Sequence, residues 1–224
     1  MNTKRFLRNN GLSLSWVLLF VFFLGAQAVS GHRVYNHQQQ DAGEASVSFS
    51  QYLTTGHFGE AVFENWESEF LQMAMFVILT AFLFQKGAAE SKDPEKDEDP
   101  VDEDPRKHRD DPRAPGPVRR GGLALVLYEH SLSLVLTLLF LGAMTMHAIT
   151  GRANYSEEQV QAGKPPVSLG EYVSSSQFWF ESFQNWQSEF LAVATLTILS
   201  IWLRQRGSPE SKAVARPHTA TGAD

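Results

Sequence analysis

The chain has 224 residues, a formal net charge of −6 and no cysteine. The absence of cysteine excludes disulfides, thiolate metal sites and cysteine nucleophiles, and the acidic balance is not the signature of a nucleic-acid-binding protein. The apolar residues gather in four runs, at 12–29, 70–84, 132–149 and 190–203. Because a soluble core spreads its apolar residues at helix or strand period, these runs indicate an integral membrane protein.

The first run is 18 residues long, about the length that crosses ~30 Å of hydrocarbon as a helix. It follows a basic tail and ends in Ala26-Gln27-Ala28, so a signal peptide is the alternative. The third run, 132–149, has the same length and a similar end, but it lies in mid-chain, where no signal peptide can be. The first run is therefore interpreted as the first helix of a repeated unit.

The second and fourth runs contain 15 and 14 residues and are too short to cross a bilayer alone. Each follows one copy of a nine-residue motif: Phe-Glu-Asn-Trp-Glu-Ser-Glu-Phe-Leu at 63–71 and Phe-Gln-Asn-Trp-Gln-Ser-Glu-Phe-Leu at 183–191. If each helix begins within or beside its motif, the spans cover about 64–85 and 184–204. That length is sufficient.

The motif belongs to a longer repeat. Residues 12–92 align with 132–212 without a gap, with 32 identities in 81 positions, which indicates internal duplication. Each copy crosses the membrane twice, so the copies are parallel repeats. The expected fold is an all-α integral membrane protein with four transmembrane helices, arranged as two parallel helix-loop-helix repeats with short interfacial helices in the outer loops. The expected divisions are a first repeat at 1–92 with spans at about 12–29 and 64–85, a disordered charged linker at 93–122, a second repeat at 123–212 with spans at about 131–149 and 184–204, and a disordered tail at 213–224.

The distribution of Lys and Arg predicts which side each segment faces. Sixteen of the 19 basic residues lie in the two termini and the linker, and three lie in the segments 30–62 and 150–182. The positive-inside rule then places the termini and linker in the cytoplasm, with 30–62 and 150–182 outside. The linker combines charge with four Asp-Pro pairs, which favours disorder; it is a solvated tether or, alternatively, a docking segment.

Each outer loop carries the signal of a short helix. Ser48 is followed by Gln51, and Ser168 by Glu171, at the spacing of a capping box. Thr or Ser residues at 54–55 and 174–176 then offer N-caps for the second long helix of each repeat.

The motif also supplies the candidate polar site. On a helix, Asn65, Ser68, Glu69 and Gln72 fall on one arc about 100° wide, and the second copy keeps most of this pattern. Trp66 and Trp186 lie on a separate aromatic arc and are expected to be interfacial anchors. Adding a histidine of the third run gives a candidate polar or ion site of six residues: Asn65, Glu69, Gln72, His147, Asn185 and Glu189.

Two interpretations of the carboxylates stay open. Glu69 and Glu189 can remain hydrated at the outer ends of their helices, beside the aromatic anchors. Alternatively, they face each other across the pseudo-twofold axis and share a proton or hold a cation. His147 is expected to bond to a neighbouring helix, with a proton relay to either carboxylate as the alternative.

The first outer loop contains three histidines near two carboxylates: His32, His37, His57, Asp41 and Glu60. They could gather on Zn²⁺, but their spacing matches no zinc pattern, so no metal or other cofactor is predicted. No phosphate loop, nucleophile elbow or His-Glu-x-x-His is present, so an enzyme is not expected.

The repeated motif, with Gln85-Lys86-Gly87 and Glu90-Ser91-Lys92 after its first copy, resembles a family of uncharacterised bacterial transmembrane proteins, a domain of unknown function. The resemblance covers both repeats. It implies a bacterial cell-membrane setting and brings no activity, cofactor or catalytic residue. The second copy departs at Gln184, Gln187 and Ala192, so the side chains at 64, 67 and 72 cannot act alike in both halves.

Two functions follow from these patterns. The first is a non-enzymatic structural or partner-binding membrane component, whose partners are the lipid bilayer and a protein not identified by the sequence. The second is a small proton- or cation-coupled transporter or channel that uses Glu69 and Glu189. Four helices make a thin pore lining, so this second function favours a homo-oligomer. No nucleic-acid partner is expected.

Overall fold

The computed structural model describes residues 3–96 and 99–222. Residues 97–98 of the expected linker, 223–224 of the expected tail and 1–2 of the first repeat lie outside the described residues. The described chain is all-α, with eight α-helices: α1 (Thr3–Asp41), α2 (Phe49–Tyr52), α3 (Gly56–Phe82), α4 (Gly116–Arg120), α5 (Gly122–Glu129), α6 (Ser131–Gln161), α7 (Leu169–Val173) and α8 (Ser176–Leu199). Two short 3₁₀ turns, Pro100–Asp102 and Pro105–His108, lie in the expected linker.

Among the described residues, two helices are long and apolar enough to cross a membrane, α1 and α6; four were expected. The apolar runs at 70–84 and 190–203 continue beyond the ends of their helices, since α3 stops at Phe82 and α8 at Leu199. A membrane-length window in either helix must therefore include polar residues of the motif, which lower its mean hydropathy. The coarser prediction of an all-α chain is confirmed.

The helices of the described chain extend further into the expected outer loops than the sequence predicts. α1 continues to Asp41 and α6 to Gln161. Two residues after each of these ends lies a glycine with positive φ, Gly43 (78°) and Gly163 (74°). The amide of Gly43 bonds to the Gln40 carbonyl, and the next amide bonds to the Gln39 carbonyl. This is the Schellman arrangement that closes a helix, and the same pair of bonds recurs after α6.

Both predicted capping boxes are confirmed. The Ser48 hydroxyl accepts from the Gln51 amide at the start of α2, and the Gln51 side chain accepts from the Ser48 amide. Ser168 and Glu171 make the same two bonds at α7. The predicted N-caps follow, because the hydroxyl of Thr55 accepts from the Phe58 amide at the start of α3; Ser175 does the same for α8.

The chain divides into two compact units whose boundaries differ from those of the sequence repeats. Unit 1 comprises Met1–Phe63 and Met146–Phe178, and unit 2 comprises Glu64–Thr145 and Trp179–Asp224. Each unit therefore contains parts of both repeats.

In unit 1, repeated glycines admit repeated tyrosines. Tyr52 of α2 and Tyr172 of α7 are almost fully buried. A Cβ added at Gly31 of α1 would lie 2.1 Å from the Tyr52 hydroxyl oxygen, and one at Gly151 of α6 would lie 2.2 Å from that of Tyr172. The absence of a side chain at these two positions lets the short helices dock on the long ones.

The start of α3 also lies close to α6 in unit 1, again at glycine positions. A Cβ at Gly56 would lie 2.5 Å from the Asn154 amide nitrogen, and one at Gly59 would lie 2.5 Å from the Thr150 side chain. Small residues at a helix contact are a common solution in membrane proteins. The second repeat has Ser176 and Trp179 at the matching positions, so this close approach belongs to the first repeat only.

In unit 2, each repeat ends in the same turn. The Ser91 hydroxyl accepts from the Gln85 amide, and the Ser211 hydroxyl accepts from the Gln205 amide, both at 2.9 Å. Residues 218–222 of the expected tail bond to residues 87 and 88 and to Lys212. The predicted disorder of the linker and tail stays a prediction.

Candidate functional site

In unit 2, the motif copies meet through a buried carboxylate. Glu67 of α3 is fully buried, and its carboxylate accepts a hydrogen bond of 2.9 Å from the indole nitrogen of Trp186 in α8. The Trp186 ring also lies beside Phe140 and Phe183, with ring centroids 6.2 and 5.6 Å apart. The tryptophan of the second motif thus bonds to an acidic group of the first.

The predicted site residues of unit 2 are less buried than Glu67. Asn65 and Glu69 are exposed, whereas Gln72, Asn185 and Glu189 are half-buried. The charge of Glu69 acts on Glu189; that the two carboxylates face each other across a pseudo-twofold axis stays a prediction. The two tryptophans are half-buried, and their role as interfacial anchors stays a prediction.

The remaining predicted residue, His147, belongs to unit 1 and is fully buried. Its ring lies against Phe178, with centroids 4.9 Å apart. A ring nitrogen of His147 lies within 4.8 Å of a Glu60 carboxylate oxygen. The proposed relay from His147 to the motif carboxylates stays a prediction.

A network of polar side chains occupies the C-terminal ends of α1 and α6 in unit 1. The Glu157 carboxylate of α6 accepts hydrogen bonds from the Tyr35 hydroxyl at 2.6 Å and from the Gln39 amide at 2.7 Å. Gln161 donates to the Gln39 side-chain oxygen at 2.9 Å. Tyr35 and Gln39 are themselves buried. A cleft of about 190 Å³ lies beside this network, lined by Tyr35, Gln38, Gln39, Asn154, Glu157, Glu158 and Gln161.

A second carboxylate of unit 1 joins α3 to α6 and α7. Glu60 accepts from the Asn154 side chain at 2.6 Å and from the Tyr172 hydroxyl at 3.2 Å. The buried Tyr172 therefore packs on Gly151 and also donates a hydrogen bond to Glu60. Charged acceptors make stronger hydrogen bonds than neutral ones, so Glu60 ties three elements together.

The surroundings of this network shift the pKa values of two side chains, Tyr35 and His57. Burial, followed by the hydrogen bond to Glu157 and its charge, raises the pKa of Tyr35 well above that of an ordinary phenol. Burial lowers the pKa of His57, with the Glu157 charge acting in the opposite direction. His57 is therefore neutral at pH 7, and Tyr35 is a hydrogen-bond donor throughout the physiological range.

The first-loop histidines do not gather in the part of the chain that the structure describes. His32 contacts the Val47 carbonyl oxygen at 2.8 Å, and His57 contacts the Tyr52 hydroxyl at 3.2 Å. His37 is exposed. The alternative of a zinc site built from these three side chains therefore has no geometric support.

Sequence reasoning did not single out Glu67 or Glu157. Glu67 lies beside the aromatic arc of its helix and is matched by Gln187, and Glu157 is matched by His37. Both carboxylates are thus absent from the other repeat. A carboxylate at a position where the repeat symmetry is broken is the signal that could have found them.

Nearly the whole chain matches a protein family. The family is described as Domain of unknown function (DUF6766), and it matches residues 3–223. The chain belongs to this DUF6766 family. The expected resemblance to a family of unknown function is thereby confirmed. No curated protein and no solved structure matches the chain.

Proposed function

We propose that this DUF6766 chain is a non-enzymatic, multi-pass component of a bacterial inner membrane that binds a partner within or beside the bilayer. The observation that carries the proposal is the apolar surface of α1 and α6. In the most apolar 18-residue stretch of each helix, 6% and 11% of the residues are buried. Leu18 and Leu138 are 70% and 67% exposed. Such a surface is costly in water, at roughly 25 cal/mol per Å², and is covered by lipid or by another apolar helix.

The proposal includes four crossings, with α3 and α8 completing the two repeats. These helices contain 27 and 24 residues, which at 1.5 Å per residue gives roughly 36–40 Å, more than the ~30 Å of the hydrocarbon core. Their motif carboxylates then lie towards the outer interface. The excess of Lys and Arg in the termini and linker supports a cytoplasmic location for all three segments.

The polar network of unit 1 supports a structural role rather than catalysis. Its carboxylates accept hydrogen bonds from tyrosine and amide side chains that are themselves buried or half-buried. A satisfied network of this kind fixes the positions of α1, α3 and α6 within the unit.

A small transporter or channel is the second candidate. It is favoured by the electrostatic interaction between Glu69 and Glu189, which occupy matching positions in the repeats. Ionisable residues in a membrane segment mark ion pathways in many proteins.

Ion and proton flux in proteoliposomes separates the two candidates. The native chain is compared with a Glu69→Gln, Glu189→Gln double variant and with Glu44→Gln, which changes an exposed loop carboxylate. The proposal predicts no flux above empty liposomes for any of the three. Flux that is lost in the double variant and kept in Glu44→Gln would replace the proposal with the transporter.

Partner binding has its own experiment. A photo-crosslinking residue is placed at Leu18 or Leu138, with the buried position Ala74 as the matched control. The proposal predicts a protein adduct of defined mass at an exposed position and none at the control. Adducts with lipid alone at both exposed positions would contradict a protein partner at these surfaces.

A further inference from the structure

The turn that closes each repeat has the same backbone in both copies, but the two copies differ in what lies against them. Each turn contains a glycine with positive φ, 89° at Gly87 and 87° at Gly207, and each is closed by the same bond from a glutamine amide to a serine hydroxyl. A Cβ added at Gly87 would lie 2.9 Å from the His218 carbonyl oxygen, whereas one at Gly207 would meet no atom within 4 Å. The second turn is therefore open where the first is covered.

The covered turn shows what its glycine amide binds. The Gly87 amide donates to the Thr221 hydroxyl at 2.9 Å, and the Gly222 amide donates to the Ala88 carbonyl at 3.0 Å. Gly207 is exposed, and in the part of the chain that the structure describes its amide has no hydrogen-bond acceptor. The open turn thus presents the same donor to an oxygen atom from outside the chain.

The basic side chains of the two turns differ in the same way. Lys86 and Lys92 of the first turn each pair with a carboxylate of the segment that follows. Arg206 and Lys212 occupy the matching positions of the second turn, and neither forms an ion pair within the described residues. Residues 204–222 contain four Lys or Arg side chains and one carboxylate. The second turn therefore carries positive charge that its own segment does not neutralise.

Three of these four basic side chains bond to backbone carbonyls instead of carboxylates. Arg204 donates to the Arg216 carbonyl oxygen at 3.4 Å, and Arg216 donates to the Gly222 carbonyl oxygen at 3.0 Å. The buried Lys212 donates to the carbonyl oxygens of residues 218 and 220 at 2.9 and 2.8 Å. Burial, followed by the charges of Arg204 and Arg216, lowers the pKa of Lys212. An anion bound beside these groups would offset their mutual repulsion.

A cleft of about 500 Å³ lies at the open turn. Arg206 and Ser208 line it beside the Gly207 amide, and small apolar side chains at 213–215 complete one wall. The segment's single carboxylate, Glu210, is exposed and does not line the cleft. A guanidinium group bonds to phosphate through two parallel hydrogen bonds, and amides at turns of this kind bind anions. The cleft thus has the donors and the charge that a phosphate group requires.

We propose that the open turn at 205–212 binds the phosphate group of an anionic phospholipid, with Arg206, the Gly207 amide and the Ser208 hydroxyl as donors. A lipid is favoured over free phosphate because Trp202 and Leu203, just before the turn, are 54% and 59% exposed and offer an apolar flank to acyl chains. This choice of ligand rests on the proposed membrane function, which places the end of α8 at the cytoplasmic surface, where anionic headgroups attract basic segments.

The experiment measures lipid binding by the full chain in a neutral detergent. Phosphatidylglycerol, phosphatidylcholine or inorganic phosphate is titrated in, and native mass spectrometry gives each dissociation constant. The native chain is expected to bind phosphatidylglycerol more tightly than either alternative. Arg206→Gln is expected to weaken that binding roughly fivefold through the loss of one basic group, and Ser208→Ala is expected to weaken it less.

The covered turn supplies the matched control. Lys86→Gln removes one positive charge at the position equivalent to Arg206 and is expected to leave the affinity for phosphatidylglycerol unchanged, with circular dichroism confirming that all variants fold. Equal affinities of the native chain for the two lipids, or equal losses in Arg206→Gln and Lys86→Gln, would overturn the proposal. Tighter binding of inorganic phosphate than of phosphatidylglycerol would contradict the choice of a lipid.

Flotation with phosphatidylcholine liposomes tests the membrane location separately. A chain that floats with these liposomes and shows no preference for phosphatidylglycerol overturns the lipid site alone. A chain that does not float contradicts the proposed function as well.

Discussion

The indole nitrogen of Trp186 donates a hydrogen bond of 2.9 Å to the carboxylate of Glu67, which is fully buried. Trp186 comes from the second copy of the motif and Glu67 from the first, at positions that are not equivalent in the repeat. The duplication therefore placed two similar helices in unit 2, and a later difference between them, Glu67 against Gln187, supports an asymmetric contact.

Removing the acceptor of this bond is expected to destabilise the chain. Glu67→Leu leaves the indole N–H without that acceptor, which costs about 1–3 kcal/mol of unfolding free energy, whereas Glu67→Gln retains an acceptor and is expected to cost less. In a Trp186→Phe background the difference between the two Glu67 variants should shrink. Reversible unfolding in mixed micelles measures all six combinations of Glu, Leu or Gln at position 67 with Trp or Phe at position 186. Equal effects of Glu67→Leu in both backgrounds would show that the bond contributes nothing.

The contact between Gly31 and Tyr52 gives a second prediction. A methyl group at Gly31 would lie 2.1 Å from the Tyr52 hydroxyl oxygen, so Gly31→Ala is expected to lower the unfolding free energy by about 1–3 kcal/mol. Adding Tyr52→Phe removes the clashing oxygen and is expected to restore part of the loss. The thermal midpoint in detergent measures both effects.

Two other helical glycines provide the control for this experiment. A methyl group at Gly25 or Gly142 would meet no atom within 4 Å, and alanine is the better helix former by about 1 kcal/mol. Alanine at these positions should leave the thermal midpoint unchanged or raise it slightly. A loss at Gly25 as large as that at Gly31 would remove the explanation based on Tyr52.

The raised pKa of Tyr35 predicts a loss of stability in alkali. Burial and Glu157 keep the phenol protonated in the folded chain above the pH at which an unfolded tyrosine ionises, so the folded state binds the proton more tightly. This contribution is fully present below about pH 10 and is lost as the pH rises beyond it. Tyr35→Phe should flatten the decline of unfolding free energy between pH 10 and 11.5, and Tyr128→Phe, at an exposed position, should not. Identical slopes for both variants would contradict the assignment.

The local signals in the sequence predicted more of the structure than the distribution of hydropathy did. The serine capping boxes at 48 and 168 and the N-caps of the long helices are set by neighbouring residues, and all were predicted. The extension of α1 to Asp41 was not predicted, because residues 30–41 are polar. Their helical conformation depends on contacts with distant residues, such as that of Gln39 with Glu157.

In the candidate site, too, the sequence predicted local features but not contacts between distant residues. The repeat alignment left open whether Glu69 and Glu189 face each other, and that pairing stays a prediction. It did not predict the hydrogen-bond partners of Tyr35, Glu60 and Glu157, because each bonds to a residue roughly 90–120 positions away. Helical periodicity defines a face but not the neighbour it meets. The side of the membrane is likewise inferred from charge alone.

Accessibility of single cysteines in intact cells tests the multi-pass architecture most directly. Glu44 and Lys164 follow the positive-φ glycines in the segments expected to lie outside, and both are exposed. Val101 is an exposed residue of the expected linker. A membrane-impermeant maleimide is expected to label cysteines at 44 and 164 in intact cells and to label the cysteine at 101 only after permeabilisation. Labelling at 101 without labelling at 44 and 164 would reverse the topology. An equal extent of labelling at all three sites in intact cells would contradict an inner-membrane protein with parallel repeats.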